Sequence, residues 1–292
     1  MSSSTSDRPR PGAERIVGWV RVVHPFPSIL DGLVSGGIAF LGGGSVALAI
    51  QVGLAMAVLQ FGIGAVNDIV DAPRDAGRKP GKPIPAGVVA IGTARIVATG
   101  LFVVGTLISW SISGPMGGLA LGIIAIGLGY DLWLKGTAWS WLPFAIGIPI
   151  LPVFGWLAAT GTLSAAFAIL VPAGVVAGAG LAIGNALVDV ERDEAAGVSS
   201  IAVALGRVRS AWLTTLLFTI AGVAAVGSGM IAGMPAPTVV VLAFAGVVPI
   251  AASRTVVAAG AGRRERAWQA EAVGLAVLAA AWIASIVGAG AR

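Results

Sequence analysis

The sequence predicts an all-α integral membrane protein, with nine transmembrane helices in a single bundle and a cytoplasmic N-terminus. Three observations lead there. The 292 residues are 57% hydrophobic and 11% charged, with a mean hydropathy of +0.95, where soluble domains carry roughly 25% charged residues. Nine apolar stretches each approach the ~20 residues that cross a bilayer. Of the 18 Lys and Arg residues, 17 lie on or near one side of the resulting topology, and a basic side is a cytoplasmic side.

Taken in order, residues 1–20 are expected to be a disordered tail, because Met1 to about Glu14 is rich in Ser, Arg and Pro. No short apolar stretch with a cleavage site follows it, so it does not read as a signal peptide. Residues 21–292 are expected to form one domain. Its spans fall at about 26–43, 46–69, 88–110, 116–134, 140–160, 165–188, 210–232, 237–253 and 270–289. Gly and Ala are abundant throughout, with 43 glycines, and small residues let membrane helices approach closely. The connections near 70–87, 132–139, 189–209 and 254–269 carry the charge. The alternate turns, Gly42-Gly43-Gly44, Ser113-Gly114-Pro115, Thr160-Gly161-Thr162 and Gly233-Met234-Pro235-Ala236-Pro237, contain no Lys or Arg. That alternation is self-consistent for nine spans in the cell membrane.

Two spans end in acidic clusters on the charged side. The first is Asn67-Asp68-Ile69-Val70-Asp71-Ala72-Pro73-Arg74-Asp75 and the second Asn185-Ala186-Leu187-Val188-Asp189-Val190-Glu191-Arg192-Asp193. Carboxylates at a bilayer edge are costly and tend to be functional. Asn185, Asp189 and Asp193 are spaced i, i+4, i+8, which lines them on one helical face. Asp68, Asp71 and Asp75 are spaced i, i+3, i+7. Pro73 is expected to disturb the helix, leaving Asp75 on a loop. The clusters lie four spans apart, hence on the same face, which hints at duplication of a four-helix unit.

With no Cys and a single His24, thiol chemistry and a multi-histidine metal site within the chain are excluded. Any metal must be held mainly by oxygen, which favours Mg²⁺, Mn²⁺ or Ca²⁺. Mg²⁺ takes one or two carboxylates plus substrate phosphate oxygens, so two facing acidic sets suit a diphosphate bridged through Mg²⁺. Arg74, Arg78, Lys79 and Lys82 follow the first set, Lys135 ends the fourth span, and Arg192 lies in the second set. Lys serves as a point-charge phosphate contact. Despite the net charge of +5, the basic residues sit in short loops between spans, which argues against nucleic acid. Arg207, Arg209 and the run Arg263-Arg264-Glu265-Arg266 are expected to set topology and meet anionic lipid.

These residues resemble the UbiA superfamily of intramembrane prenyltransferases. Asn67, Asp68, Asp71 and Asp75 match its first motif, Asn-Asp-x-x-Asp-x-x-x-Asp. Lys82-Pro83-Ile84-Pro85-Ala86-Gly87 matches the loop that follows. Asp189 and Asp193, with Gly197, Ser199, Ser200 and Leu205-Gly206, match the second motif, and Tyr130, Leu134 and Lys135 the element between. The resemblance implies transfer of a prenyl group from its diphosphate to a small acceptor, often aromatic, of the 4-hydroxybenzoate or quinone-precursor type. It implies two Mg²⁺ ions held among Asn67, Asp68, Asp71, Asn185, Asp189 and Asp193, and diphosphate bound by Arg78, Lys79, Lys82, Lys135 and Arg192. It also implies a groove for the isoprenoid tail that opens to membrane lipid. Asp75 is the expected residue to position or deprotonate the acceptor, and Tyr130 to face an allylic cation.

Two positions depart from the pattern. Lys82 stands where many relatives have Arg, so a point charge replaces a bidentate contact. Asp131 is outside the pattern and is expected to partner Lys135. Asp31 and His24 form either a polar helix start or an acceptor-recognition pair. The same motifs also admit phosphoribosyl transfer to a polyprenyl phosphate, or terpene cyclisation. An ion-coupled transporter is a reading of another class. It is disfavoured because the acids cluster at one interface and the repeat is parallel.

Overall fold

The computed structural model describes residues 11–77, 79, 81–255 and 260–290. The described residues form helices and turns, with no strand. Short helix α1, Pro11–Val22, precedes α2, Pro25–Leu41, and α3, Val46–Asp75. Then come α4, Ile91–Ile112, and α5, Gly114–Gly129, which runs into a π-helical turn at Tyr130–Leu134. Helices α6, Leu142–Thr160, and α7, Phe167–Val188, lead to two short helices, α8, Val190–Ala195, and α9, Ile201–Leu205. Long helices α10, Arg207–Ile231, α11, Ala236–Thr255, and α12, Ala261–Gly288, complete the chain.

Among the described residues, eight helices are long and apolar enough to cross a membrane, and the first expected span is α2, an apolar helix of 17 residues. Expectation and structure differ at the N-terminus. Residues 1–10 of the expected tail lie outside the described residues, but 11–22 form a helix rather than a disordered segment. The reason is contact: Val22 is fully buried, and Gly18 sits so near Val88 that a Cβ would meet its Cγ1 at 2.9 Å. Ile16, Val17 and Val20 remain exposed on the other face, the arrangement of a helix lying along a membrane surface.

Each long helix packs on the next. Helices α3–α6 make one four-helix unit and α7 with α10–α12 a second, while α2 packs on α3, α6 and α12. Close approach relies on small residues. A Cβ at Gly36 would meet the Ala49 carbonyl of α3 at 2.6 Å, and one at Gly155 would strike the Ser35 carbonyl of α2. Between α2, α6, α7 and α12 lies an apolar chamber lined by Leu30, Val34, Pro149, Leu278 and Trp282 together with Asp31.

Candidate active site

The first acidic set is a helix end. Pro73 does not displace Asp75, contrary to the expectation from sequence: α3 runs unbroken to Asp75. Pro73 falls in the last turns, where its missing N–H costs a single ladder bond, and the Ala76 N–H resumes the pattern at the Ala72 carbonyl, 3.2 Å away. Asp68, Asp71 and Asp75 therefore share one face, and all three are buried. Gly77, at φ +73°, then turns the chain back, and the Lys79 N–H bonds the Asp75 carbonyl at 3.0 Å. Further on, Ile84 and Val89 bury against Val22, Ala65 and Ala72. That contact holds the Lys82 loop against α3.

The second set is less regular. Helix α7 stops at Val188, Asp189 takes φ −107° and ψ 9°, and α8 begins at Val190. The expected unbroken stripe of Asn185, Asp189 and Asp193 is thus interrupted. The cause is the fully buried Val190, which packs with Leu187, Ala202, Ala211 and Ala267 and redirects the chain. The backbone N–H groups of Arg192 and Asp193 both return to the Asp189 carbonyl at 2.9 Å. Asp189 and Asp193 remain half-buried.

Cations stitch the two sets together. Lys79 Nζ lies 3.6 Å from Asp75 and 3.3 Å from Asp189, bridging them. Lys82 donates to Asp68, and Lys135 to Asp71 at 2.6 Å. Arg192 pairs with Asp189 at 2.6 Å. Arg78 lies outside the described residues. The Asn67 amide nitrogen donates to Asp131 at 2.7 Å, which leaves its carbonyl oxygen as the atom available to a cation. Asp131 is therefore a partner of Asn67, while the acid bonded to Lys135 is Asp71. Tyr130 opens the π-helical turn and Lys135 follows it, a distortion frequent at functional sites. The Tyr130 ring meets Phe144 edge-on at 5.7 Å, and Lys135 Nζ is 5.8 Å from its centroid.

The loop charges respond to these contacts. Burial alone would lower the Lys79 pKa, but the Asp189 and Asp75 carboxylates outweigh it and hold the ammonium above its ordinary range. Burial raises the Asp193 carboxyl, the Ser200 hydroxyl pulls it back, and the Asp189 charge adds to the rise.

Three groups were not legible as site residues in the sequence. His24, expected with Asp31 to form either a polar helix start or an acceptor-recognition pair, places Nε2 2.7 Å from Asp68. It takes the left-handed conformation at φ 50°. Gly64, one turn before Asp68, admits it, since a Cβ there would meet the Val23 carbonyl at 2.8 Å; that glycine was the available signal. Arg264, expected only to set topology, is 2% exposed and grips both oxygens of Glu191. Arg207 reaches the same carboxylate at 3.2 Å. The Arg264 bond, with a smaller opposing effect of burial, holds the Glu191 carboxyl below its ordinary range. No local pattern marks that clamp, because its halves are 73 residues apart.

Among the described residues no three acids or histidines gather closely enough to hold a metal ion as they stand. The donor set nevertheless fits Mg²⁺. It is all oxygen, the ammonium of Lys79 already sits as a cation between the two acidic sets, and one buried oxygen of Asp131 has no hydrogen-bond partner.

Residues 32–278 match the model of the UbiA prenyltransferase family. Protoheme IX farnesyltransferase of Chloroflexus aurantiacus is 32% identical over 108 residues, covering 35% of this chain and 18% of that protein. The chloroplastic chlorophyll synthase of Arabidopsis thaliana is 30% identical over 184 residues, 58% of this chain and 47% of that one. This chain thus spans less than half the length of either relative. A UbiA homologue from Archaeoglobus fulgidus, solved bound to GPP and Mg²⁺, superposes with TM-score 0.68 at 17% identity, covering 89% of this chain and 99% of that one.

Proposed function

The chain belongs to the UbiA prenyltransferase family, and from that premise we propose that it transfers a prenyl group from a prenyl diphosphate to a small aromatic acceptor, of the 4-hydroxybenzoate or quinone-precursor type. The observation that carries this reading is the Lys79 bridge, which brings the ends of α3 and α7 within reach of one small anion-and-cation cluster. The apolar chamber between α2, α6, α7 and α12 would suit a hydrocarbon tail.

Asp68, Asp71, Asp189 and Asp193, with the carbonyl oxygens of Asn67 and Asn185, are the residues that would hold Mg²⁺, two ions in this reading. When bound, the metal supplies neutralisation of charge on the departing diphosphate. Lys79, Lys82, Lys135 and Arg192, now paired with carboxylates, turn to the phosphate oxygens, joined by Arg78. The allylic carbon–oxygen bond breaks with its electron pair leaving on the diphosphate. The Tyr130 ring face stabilises the allylic cation. The acceptor carbon attacks, and its proton passes to a base, which in this reading is Asp75.

The topology belongs to the same reading. Helix α2, 17 residues or about 25 Å long at 1.5 Å per residue, makes a ninth crossing, which puts the N-terminus and the site on the cytoplasmic side. Mass spectrometry of products from purified protein, Mg²⁺, a panel of prenyl diphosphates and mixed aromatic acceptors tests the activity. The expected result is a prenylated acceptor and diphosphate release that requires Mg²⁺. A cyclic hydrocarbon formed without acceptor, or uptake without diphosphate release, overturns it.

A further inference from the structure

His24 is the single histidine of the chain, and its backbone is strained. At φ 50° and ψ 66° it takes the left-handed conformation, which few residues other than glycine adopt. Among the described residues no other non-glycine residue has a positive φ. Its surroundings hold it there. The His24 N–H bonds the Arg21 carbonyl at 3.3 Å. The Ser28 hydroxyl donates to the His24 carbonyl at 3.0 Å and lies 3.2 Å from that of Val23. On the α3 side Gly64 leaves room, since a Cβ there would come within 3.1 Å of the His24 Cβ. Backbone strain of this kind persists where packing over-determines it, and it clusters at functional sites.

The strained turn aims the ring at Asp68. Nε2 lies 2.7 Å from Oδ1, and Lys82 Nζ donates to that same oxygen. An ionised carboxylate only accepts, so Nε2 carries the proton. Both donors fall on Oδ1, which leaves Oδ2 as the oxygen open to a cation. The two donors differ in freedom. Lys82 sits on the loop after α3 and has a flexible four-carbon stem, so it can leave Asp68 for a phosphate oxygen. His24 has a short side chain on a fixed backbone and stays. Asp68 is 3% exposed, so without His24 the departure of Lys82 would leave Oδ1 buried and unpaired, which is costly. The carboxylate would then turn to recover a partner and lose its aim.

We propose that His24 is a positioning residue of the metal site, holding Asp68 Oδ1 so that Oδ2 faces the cation once Lys82 has turned to the diphosphate. This rests on the prenyl-transfer reading and deepens it. His24 acts through Asp68 and touches neither the metal nor the substrate. Hydrogen-bond partners of metal ligands act in this way, fixing the orientation of the ligand.

Two substitutions separate positioning from folding. His24→Asn suits the left-handed backbone, but the amide nitrogen stops where the imidazole has Nδ1, short of Asp68. His24→Gln carries its amide nitrogen to the place of Nε2 but fits that backbone less well. Melting temperature should therefore rank His24→Asn above His24→Gln, and Mg²⁺ binding should rank them the other way. The full chain is assayed in nanodiscs by titrating Mg²⁺ with geranyl diphosphate and mixed aromatic acceptors. The half-saturating Mg²⁺ concentration is expected to rise about ten- to a hundredfold in His24→Asn and less than about threefold in His24→Gln. Excess Mg²⁺ should return turnover towards the wild-type rate, with KM for geranyl diphosphate then changed less than about threefold. A readout independent of turnover is thermal stabilisation by Mg²⁺ with inorganic diphosphate. It is expected in the wild-type protein and in His24→Gln, and lost at the same Mg²⁺ concentration in His24→Asn. A Mg²⁺ requirement within about twofold of wild type in His24→Asn, or one that follows melting temperature across the variants, overturns the positioning role while leaving prenyl transfer standing. Absence of diphosphate release from the wild-type protein with every acceptor overturns the prenyl-transfer reading. The stabilisation by Mg²⁺ and inorganic diphosphate then still decides on His24, and its absence in the wild-type protein overturns the positioning role as well.

Discussion

The two acidic sets differ in how they are held. On α3, the acids occupy one face of an unbroken helix and are buried, and Asp68, Asp71 and Asp75 each have a lysine within ion-pair distance. At the end of α7 the helix breaks at Asp189, the acids are half-exposed, and the segment is tied from outside by Arg264 and Arg207 on Glu191. One set is shaped by its own helix and the other by its neighbours. Helix hydrogen bonds fix side-chain spacing without help, whereas a six-residue helix such as α8 is too short to be stable alone. The second set is therefore the adjustable half of the site, and its geometry depends on α12.

That contrast can be broken or sharpened by experiment. Removing Mg²⁺ with a chelator should have the largest effect, abolishing diphosphate release and restored by added Mg²⁺, because both halves depend on it. Asp71→Ala comes next. It removes a rigidly placed carboxylate and frees Lys135, so turnover should fall by about a thousandfold or more, measured as diphosphate released per enzyme. Arg264→Ala touches no substrate, yet it should lower turnover by roughly ten- to a hundredfold by loosening α8. A double-mutant cycle with Glu191→Ala should show strong coupling between the two, and additive losses would refute the clamp. Lys79→Ala should mainly raise KM for the prenyl diphosphate by about tenfold, read from initial rates. Asn185→Ala should be mildest among the metal-holding residues, lowering turnover by about tenfold, since its neutral amide oxygen carries less charge than a carboxylate and sits before the break. A loss for Asn185→Ala as large as that for Asp71→Ala would mean the second set is as rigid as the first.

The chamber offers the same lesson at another scale. Its wall residues are apolar and match a span's hydropathy, so the nine stretches were readable one at a time. That the Glu271 carboxylate is buried against Gly184 of α7 was not readable, because the two are distant in the sequence. His24 is a similar case. Its neighbour in sequence suggested Asp31, and the packing of α3 through Gly64 assigned Asp68 instead. Pro73 is the reverse case: a local rule predicted a break that the surrounding helix absorbed.

The sequence by itself determined which segments are apolar helices, which side carries charge, and that two acidic sets end helices on that side. Hydropathy, charge and helical period are properties of neighbouring residues, so they survive without coordinates. Only the tertiary structure decided which lysine sits on which aspartate, that the chain breaks at Asp189 rather than Pro73, and that Arg264 holds Glu191. Several of those outcomes, such as Lys135 on Asp71 and Arg264 on Glu191, set side chains more than 60 residues apart against each other, and small residues let the helices that carry them pack closely.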